Sequence, residues 1–166
     1  GSEMCIRDRS SINLREPVLS GYAMALTDNG DFDKALEIIQ ELLFFGASQD
    51  TAGSLVINPD INDIIPDYRS LNILKTKHHA LEGMYKNTGD FKYLLASAET
   101  IDLIVAIIEK VRLNISEEES RLILGDRYRD YYIYAIRDYD LCFSLTGNKA
   151  YLDKAFKYFE KSKDSC

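Results

Sequence analysis

Gly30, Gly89 and Gly147 stand 59 and 58 residues apart, and the residues around each glycine recur with it. Four positions before it come Leu26, Tyr85 and Phe143; eight before it, Tyr22, Leu81 and Tyr139; eleven before it, Leu19, His78 and Ile136. Five positions after it stand Ala35, Leu94 and Leu152, and twelve after it Leu42, Ile101 and Phe159. Steps of three and four put these positions on one stripe of a helix. A glycine between two such stripes marks where one helix stops and an antiparallel partner starts. The chain therefore reads as all-α, a solenoid of three helical hairpins at about 16–46, 66–113 and 116–163.

Composition narrows what such a stack binds. An apolar share of 46% is too high for a disordered chain, and 28% charged residues supply a solvated outer face. A net charge of −7 lacks the basic footprint that a nucleic-acid partner requires. The most apolar run, Ile101 to Val111, is interrupted by Asp102, Glu109 and Lys110 and falls short of the ~20 residues needed to span a bilayer. Three cysteines without a CxxC pair favour a reducing compartment, so the expected location is cytoplasmic.

Residues 1–14 stand apart from this pattern. Met4 to Arg9 read MCIRDR, which resembles a translated transposon-end adaptor carried over from untrimmed metagenomic reads. The segment is expected to be non-native or disordered, and on that reading the natural chain extends further upstream. Setting it aside leaves Cys142 and Cys166 as the cysteines of the fold.

The remaining signals place six helices. The first is expected to start near Pro17, a good first-turn residue, and run to about Asn29. Asp31 and Asp33 open the second, which stops at Gly46. Between 47 and 65 the periodicity vanishes, and Gly53, Pro59 and the Asp and Asn residues of Asn58 to Asp63 mark a long connector. The third helix runs from about Pro66 to Asn87, with Tyr68, Leu71, Leu74, Leu81 and Tyr85 inward. The fourth, about Asp90 to Leu113, carries apolar residues on more than one face and should be the most buried; Lys110 and Arg112 suit its C-terminal dipole. Ser116 and Glu119 form a capping box for a fifth helix running to Leu145, supported by a Glu117–Arg121 pair, with Leu122, Tyr128, Tyr132, Ile136, Tyr139 and Phe143 inward. The sixth starts near Lys149, with Tyr151, Leu152, Ala155, Phe156 and Phe159 inward and its far face uncovered.

The first unit, YAMALTDNGDFDKALEIIQELL, resembles a tetratricopeptide repeat, with Ala23, Gly30, Phe32 and Ala35 in the repeat's positions. The later units depart from it, using T-G-[DN]-x-x-Y-L at Thr88 to Leu94 and Thr146 to Leu152 with a much longer period. That departure is itself similar to the last repeats of bacterial tetratricopeptide proteins that carry a C-terminal caspase-like CHAT domain. The resemblance rests on INPDINDIIPDY, TGDFKYL, SEEESRLILGDRYRDYY and YLDKAFKYFEKSK and covers roughly 17 to 163. It implies a helical region that regulates, or recruits substrates to, a protease-like domain downstream. No catalytic residue of such a domain lies in this sequence, and the chain itself is expected not to be an enzyme.

Candidate sites are few. His78 falls on the inward stripe and reads as a packing residue. His78 and His79 point about 100° apart, so they are not read as a chelating pair, and no metal or cofactor is expected. Asn58, Asp60 and Asn62 open like a calcium loop, but Asp63 and Arg69 replace the glycine and glutamate that an EF-hand requires. Asn114-Ile115-Ser116 fits a glycosylation sequon, although Ser116 is better used as a cap. Cys142 reads as a structural thiol. Tyr128, Tyr131, Tyr132 and Tyr134 read either as core and helix–helix packing or as an aromatic interface patch.

In a superhelical stack the first helix of each hairpin lines the concave side. Residues one step off the inward stripe then face a protein or peptide partner: Thr76, His79, Glu82 and Lys86 on the third helix, Ile133, Arg137, Asp140 and Ser144 on the fifth. Two rival readings remain. One is head-to-tail self-assembly through exposed hairpin faces. The other is a small ligand-binding domain built around His78 and the tyrosines.

Overall fold

The computed structural model describes residues 2–45 and 54–164, with side chains at 15–45 and 54–163. Every regular element in it is helical: α1 Ser2–Asp28, α2 Phe32–Leu43, a 3₁₀ turn Ile61–Asp63, α3 Tyr68–Thr88, α4 Phe91–Arg112, α5 Glu117–Leu124, α6 Asp130–Thr146 and α7 Lys149–Asp164. Among the described residues no helix is long and apolar enough to cross a membrane. α1 packs on α2, α2 on α3, α3 on α4, α4 on α6 past the short α5, and α6 on α7, and α1 also meets α3.

The recurring glycines make the turns. Gly89 and Gly147 follow α3 and α6 with φ of 67° and 69°, and each donates its N–H at 2.7 Å to the carbonyl four residues back, Tyr85 and Phe143. A side chain is disfavoured at that left-handed φ, which is why glycine recurs there. Asp90 then caps α4 by accepting from the Lys92 N–H at 3.1 Å. The capping box of α5 is present in both directions, and Glu117 pairs with Arg121 at 3.8 Å.

α4 is the central helix. Leu94, Ala98, Ile101, Ile104, Val105, Ile107, Ile108 and Val111 are all buried, because α3 covers one side and α6 the other. Burying a side chain of this size contributes about 1.5–3 kcal/mol, so this helix supplies much of the driving force for stacking the second and third hairpins.

Four expectations are corrected. α1 runs through Pro17 instead of starting there, although a proline inside a helix donates no N–H and crowds the carbonyl four residues back. The fifth helix is two helices, because Gly125 adopts φ 87° and ψ 161°, a conformation that ends α5. The break resets the register: Leu124 is buried, whereas Leu122 is 80% exposed. In α7, Ala155 and Tyr158 are buried, while Phe156 and Phe159, expected inward, are exposed. Tyr68, also expected inward, is exposed at the first turn of α3. Gly46, Gly53, Cys5 and Cys166 lie outside the residues whose placement or side chains are described.

The described part of the long connector is held by polar groups from three helices. Gln40 of α2 donates to the carbonyls of Ser54 (2.7 Å) and Ile57 (3.0 Å). The fully buried Lys77 of α3 donates to the Ile57 carbonyl at 2.5 Å and to Asn58 Oδ1 at 2.8 Å, and Asn58 donates to Thr100 of α4 at 3.2 Å. Asp60 accepts from the Asn62 N–H at 2.8 Å and starts the 3₁₀ turn. Of the residues that mimic a calcium loop, Asn58 docks the connector, while Asp60 and Asn62 bond to each other.

Candidate functional site

α3 packs on α1, α2 and α4, so only a narrow strip of it reaches solvent. Lys75, His79, Glu82 and Lys86 lie on that strip at steps of four, three and four. Thr76 does not: it is buried, and its hydroxyl donates back to the Asn72 carbonyl at 3.0 Å. This corrects its placement on the partner face, which a helix covered on three sides cannot extend to. On α6 Ile133, Arg137, Asp140 and Ser144 are exposed, as are Leu141, Leu145 and Thr146 toward its C-terminus, with Tyr131, Tyr132, Ala135, Asp138, Tyr139 and Cys142 turned inward.

Side chains join the two strips along a seam. The Lys75 ammonium lies 5.7 Å from the centre of the Tyr131 ring, His78 stacks on Tyr134 at 6.3 Å, and Arg137 forms an ion pair with Glu82. Arg137 also lies over Tyr134 and bonds Asp138 Oδ1 at 3.3 Å. Behind the seam, His78 is buried, with Nε2 3.1 Å from Glu82 Oε1 and Nδ1 2.8 Å from Ser97 Oγ on α4. Ser97 Oγ is in turn 3.3 Å from Asp138 Oδ2. Glu82, His78, Ser97 and Asp138 form one hydrogen-bonded chain linking α3, α4 and α6.

The protons in this chain can be counted. An ionised Glu82 only accepts, so His78 Nε2–H donates to it. Burial alone would raise the Glu82 carboxyl, but the His78 hydrogen bond and the nearby His78, Arg137 and His79 charges hold it below the ordinary carboxylate range. Ser97 has one hydroxyl proton and two acceptors in reach, His78 Nδ1 and Asp138 Oδ2. Burial, with the Glu82 charge adding to it, pushes Asp138 up against the pull of His78 and Arg137. A complete set of this kind is costly to break, since removing one partner of a buried charged network costs about 3–5 kcal/mol.

Serine, histidine and carboxylate in sequence invite comparison with a hydrolytic triad. The geometry does not serve that chemistry. Ser97 is fully buried in the middle of α4, and its own turn's N–H groups are committed to helix bonds, so neither attack on a carbonyl nor an oxyanion hole is available. Cys142 is buried too, and burial pushes its thiol up to about 12, away from a reactive thiolate. What the cluster does supply is a fixed edge carrying His79, Glu82 and Arg137, where imidazole, carboxylate and guanidinium lie side by side.

Of the eight partner-face residues, Glu82 and Arg137 are in contact, His79 lies 4.0 Å from Glu82, and Lys86, Ile133, Asp140 and Ser144 are exposed. Sequence reasoning missed Ser97 and Asp138. Their signal was a polar residue set within an otherwise apolar stretch, YLLASA at 93–98 on α4 and beside Tyr139 on α6. Tyr128, Tyr131 and Tyr132 are buried and Tyr134 half-buried, as in the packing reading of the tyrosine run. Compared with known proteins, the chain matches no family model, no curated protein and no solved structure.

Proposed function

We propose that this chain is a protein-interaction scaffold, a short solenoid that offers the exposed strips of α3 and α6 to a protein or peptide. The observation that supports it most is the Glu82–Arg137 pair, which joins two strips chosen independently from sequence periodicity. The joined edge carries both signs of charge together with Ile133, which is 57% exposed. Mixed charge around an apolar contact suits a peptide or a neighbouring domain better than a phosphate backbone. Because the edge is held by buried bonds, binding there involves little ordering cost.

On the resemblance to repeats that precede a CHAT domain, we read the chain as the regulatory or substrate-recruiting region of a caspase-like protease. Sequencing the source DNA through the codon for Cys166 and beyond tests this. The expected result is an open frame entering a domain with an ordered His and Cys pair. In the longer protein, Lys86→Glu with Arg137→Glu should then reduce cleavage of a protein substrate while sparing a short peptide. A stop codon close after Cys166 removes the protease reading, and unchanged protein cleavage removes the partner face.

Head-to-tail self-association is favoured by a different observation. Phe156 and Phe159 are exposed on α7, and Val18 and Tyr22 are exposed on α1. Light scattering of the purified chain decides it: a mass that grows with concentration supports association, and a constant monomer mass excludes it.

A further inference from the structure

The edge of α3 brings together three donors that the mechanism of a scaffold does not need. His78 Nε2 is 3.1 Å from Glu82 Oε1, His79 Nδ1 is 4.0 Å from Glu82 Oε2, and the donor atoms of all three residues lie within 4.8 Å of one another. From these contacts we propose that His78, His79 and Glu82 bind a divalent transition-metal cation of the zinc type, with a fourth position open to water.

The sequence objection was that adjacent helical residues diverge by about 100°. Glu82 answers it, because it stands four residues after His78 and three after His79 and so lies on the same face as each. A tetrahedral zinc site with bonds of about 2.0–2.2 Å sets its donors roughly 3.3–3.5 Å apart. His78 Nε2 and Glu82 Oε1, at 3.1 Å, lie just inside that spacing. The three donors, within 4.8 Å of one another, must close toward that spacing by up to about 1.5 Å, and the His79 side chain, 61% exposed, is free to swing inward. Two imidazoles and one carboxylate suit zinc and its transition-metal neighbours, whereas calcium and magnesium take oxygen donors.

The shell behind the site supports the same reading. A metal-bound imidazole usually donates its other N–H to an oxygen acceptor that fixes the ring. Here His78 Nδ1 faces Ser97 Oγ at 2.8 Å, and Ser97 faces Asp138 Oδ2 at 3.3 Å. With the metal on Nε2, the chain runs in one direction: His78 Nδ1–H to Ser97, Ser97 O–H to Asp138. His78 is then a neutral imidazole with its one ring proton on Nδ1, and the cation replaces the hydrogen bond between Nε2 and Glu82.

One residue opposes the cation. Arg137 contacts Glu82 Oε1, the same oxygen that faces His78, and also holds Asp138. The guanidinium is more than half exposed and can leave the carboxylate when the metal enters. Arg137 is therefore a competitor whose removal should tighten binding, an effect that nonspecific surface binding would not show.

The test is zinc chloride titration of the full chain at pH 7.5 against a chromophoric chelator, with cobalt(II) as a spectroscopic substitute. Cys5→Ser with Cys166→Ser is the background, so that terminal thiols do not contribute. One equivalent should bind, with tetrahedral cobalt absorption in the visible. His79→Ala, at an exposed position that leaves packing intact, should weaken binding about tenfold or more, and Arg137→Gln should strengthen it about threefold or more. Absence of stoichiometric binding overturns the proposal. So does an affinity that His79→Ala leaves unchanged, since the ion then sits elsewhere.

Discussion

Lys77 makes stability rise with pH in a range where most proteins show little change. Its side chain is fully buried, and among the described residues no carboxylate is paired with it; its Nζ donates to the Ile57 carbonyl and Asn58 Oδ1. Burial pushes the amine down from 10.5 to about 7. The folded chain therefore releases this proton near neutrality, while the unfolded chain holds it until about pH 10.5. Between those values the unfolded state binds more protons, so unfolding becomes harder as pH increases. Integrated from pH 7 to 9, the gain from this group is about 2 kcal/mol. Groups of the opposite sense close the window. Cys142 and the buried Tyr128, Tyr131, Tyr132, Tyr139 and Tyr158 are all raised by burial, so they keep protons that the unfolded chain loses above about pH 9–10. Stability should peak near pH 9 and fall beyond it. Urea unfolding followed by circular dichroism at pH 7, 8 and 9 measures the rise, and a constant m-value confirms that the two states are unchanged. Lys77→Met keeps the aliphatic stem and should flatten the profile from 7 to 9 while leaving the alkaline fall in place. A wild-type profile that is already flat, or a rise that survives Lys77→Met, refutes the reasoning.

Three further outcomes follow from packing. A Cβ on Gly83 would lie 2.3 Å from the Phe32 ring, so Gly83→Ala should destabilise by about 1–3 kcal/mol despite alanine's better helix propensity, and less in a Phe32→Ala background; denaturant midpoints of the four proteins read this coupling. Gly147→Ala meets no atom within 4 Å, so its cost is the left-handed backbone alone, about 1–2 kcal/mol in the same assay. Asp102 accepts from the Tyr139 and Tyr158 hydroxyls and from Lys154 at 2.7 Å, tying α4 to α6 and α7. Asp102→Ala should cost about 3 kcal/mol and make α7 the first segment to exchange amide hydrogens or to be cut by trypsin.

Which parts of this arrangement could be read in advance follows from the range of the interactions that fix them. The turn glycines are local: a left-handed residue at a helix end has one common chemical solution, so Gly89 and Gly147 were legible from spacing alone. The capping box at Ser116 was legible for the same reason. The break at Gly125 is also local, and Gly125-Asp126 within a helical pattern was its signal, but the apolar periodicity on both sides masked it. The burial of Tyr158 over Phe159 is a different matter. A stripe of identical spacing is buried only where a neighbour covers it, and α7 packs on α6 with Tyr158 and Lys161 reaching back to Asp102 and Glu109 of α4. Phenol oxygen and carboxylate found each other across 56 positions of sequence, which no period of three or four residues encodes.

The same argument applies to the polar interior, and it bears on the site. Lys77 with Asn58 and Thr100, and His78 with Ser97, Asp138 and Glu82, are sets whose members are 19 to 42 residues apart for the bonds that join them across elements. Lys77, His78, Ser97, Thr100 and Asp138 each look, taken alone, like a misplaced polar residue on the inner face of a helix. Apolar contacts are non-directional and let one helix slide on another at small cost, whereas these bonds have length and angle and leave an unsatisfied buried group when they slip. The polar sets therefore specify where the connector and the third hairpin dock, while the leucines and isoleucines of α4 supply the driving force. His79, Glu82 and Arg137 owe their fixed spacing to that docking, so any partner or cation they hold is read out by the same bonds that set the angle between hairpins.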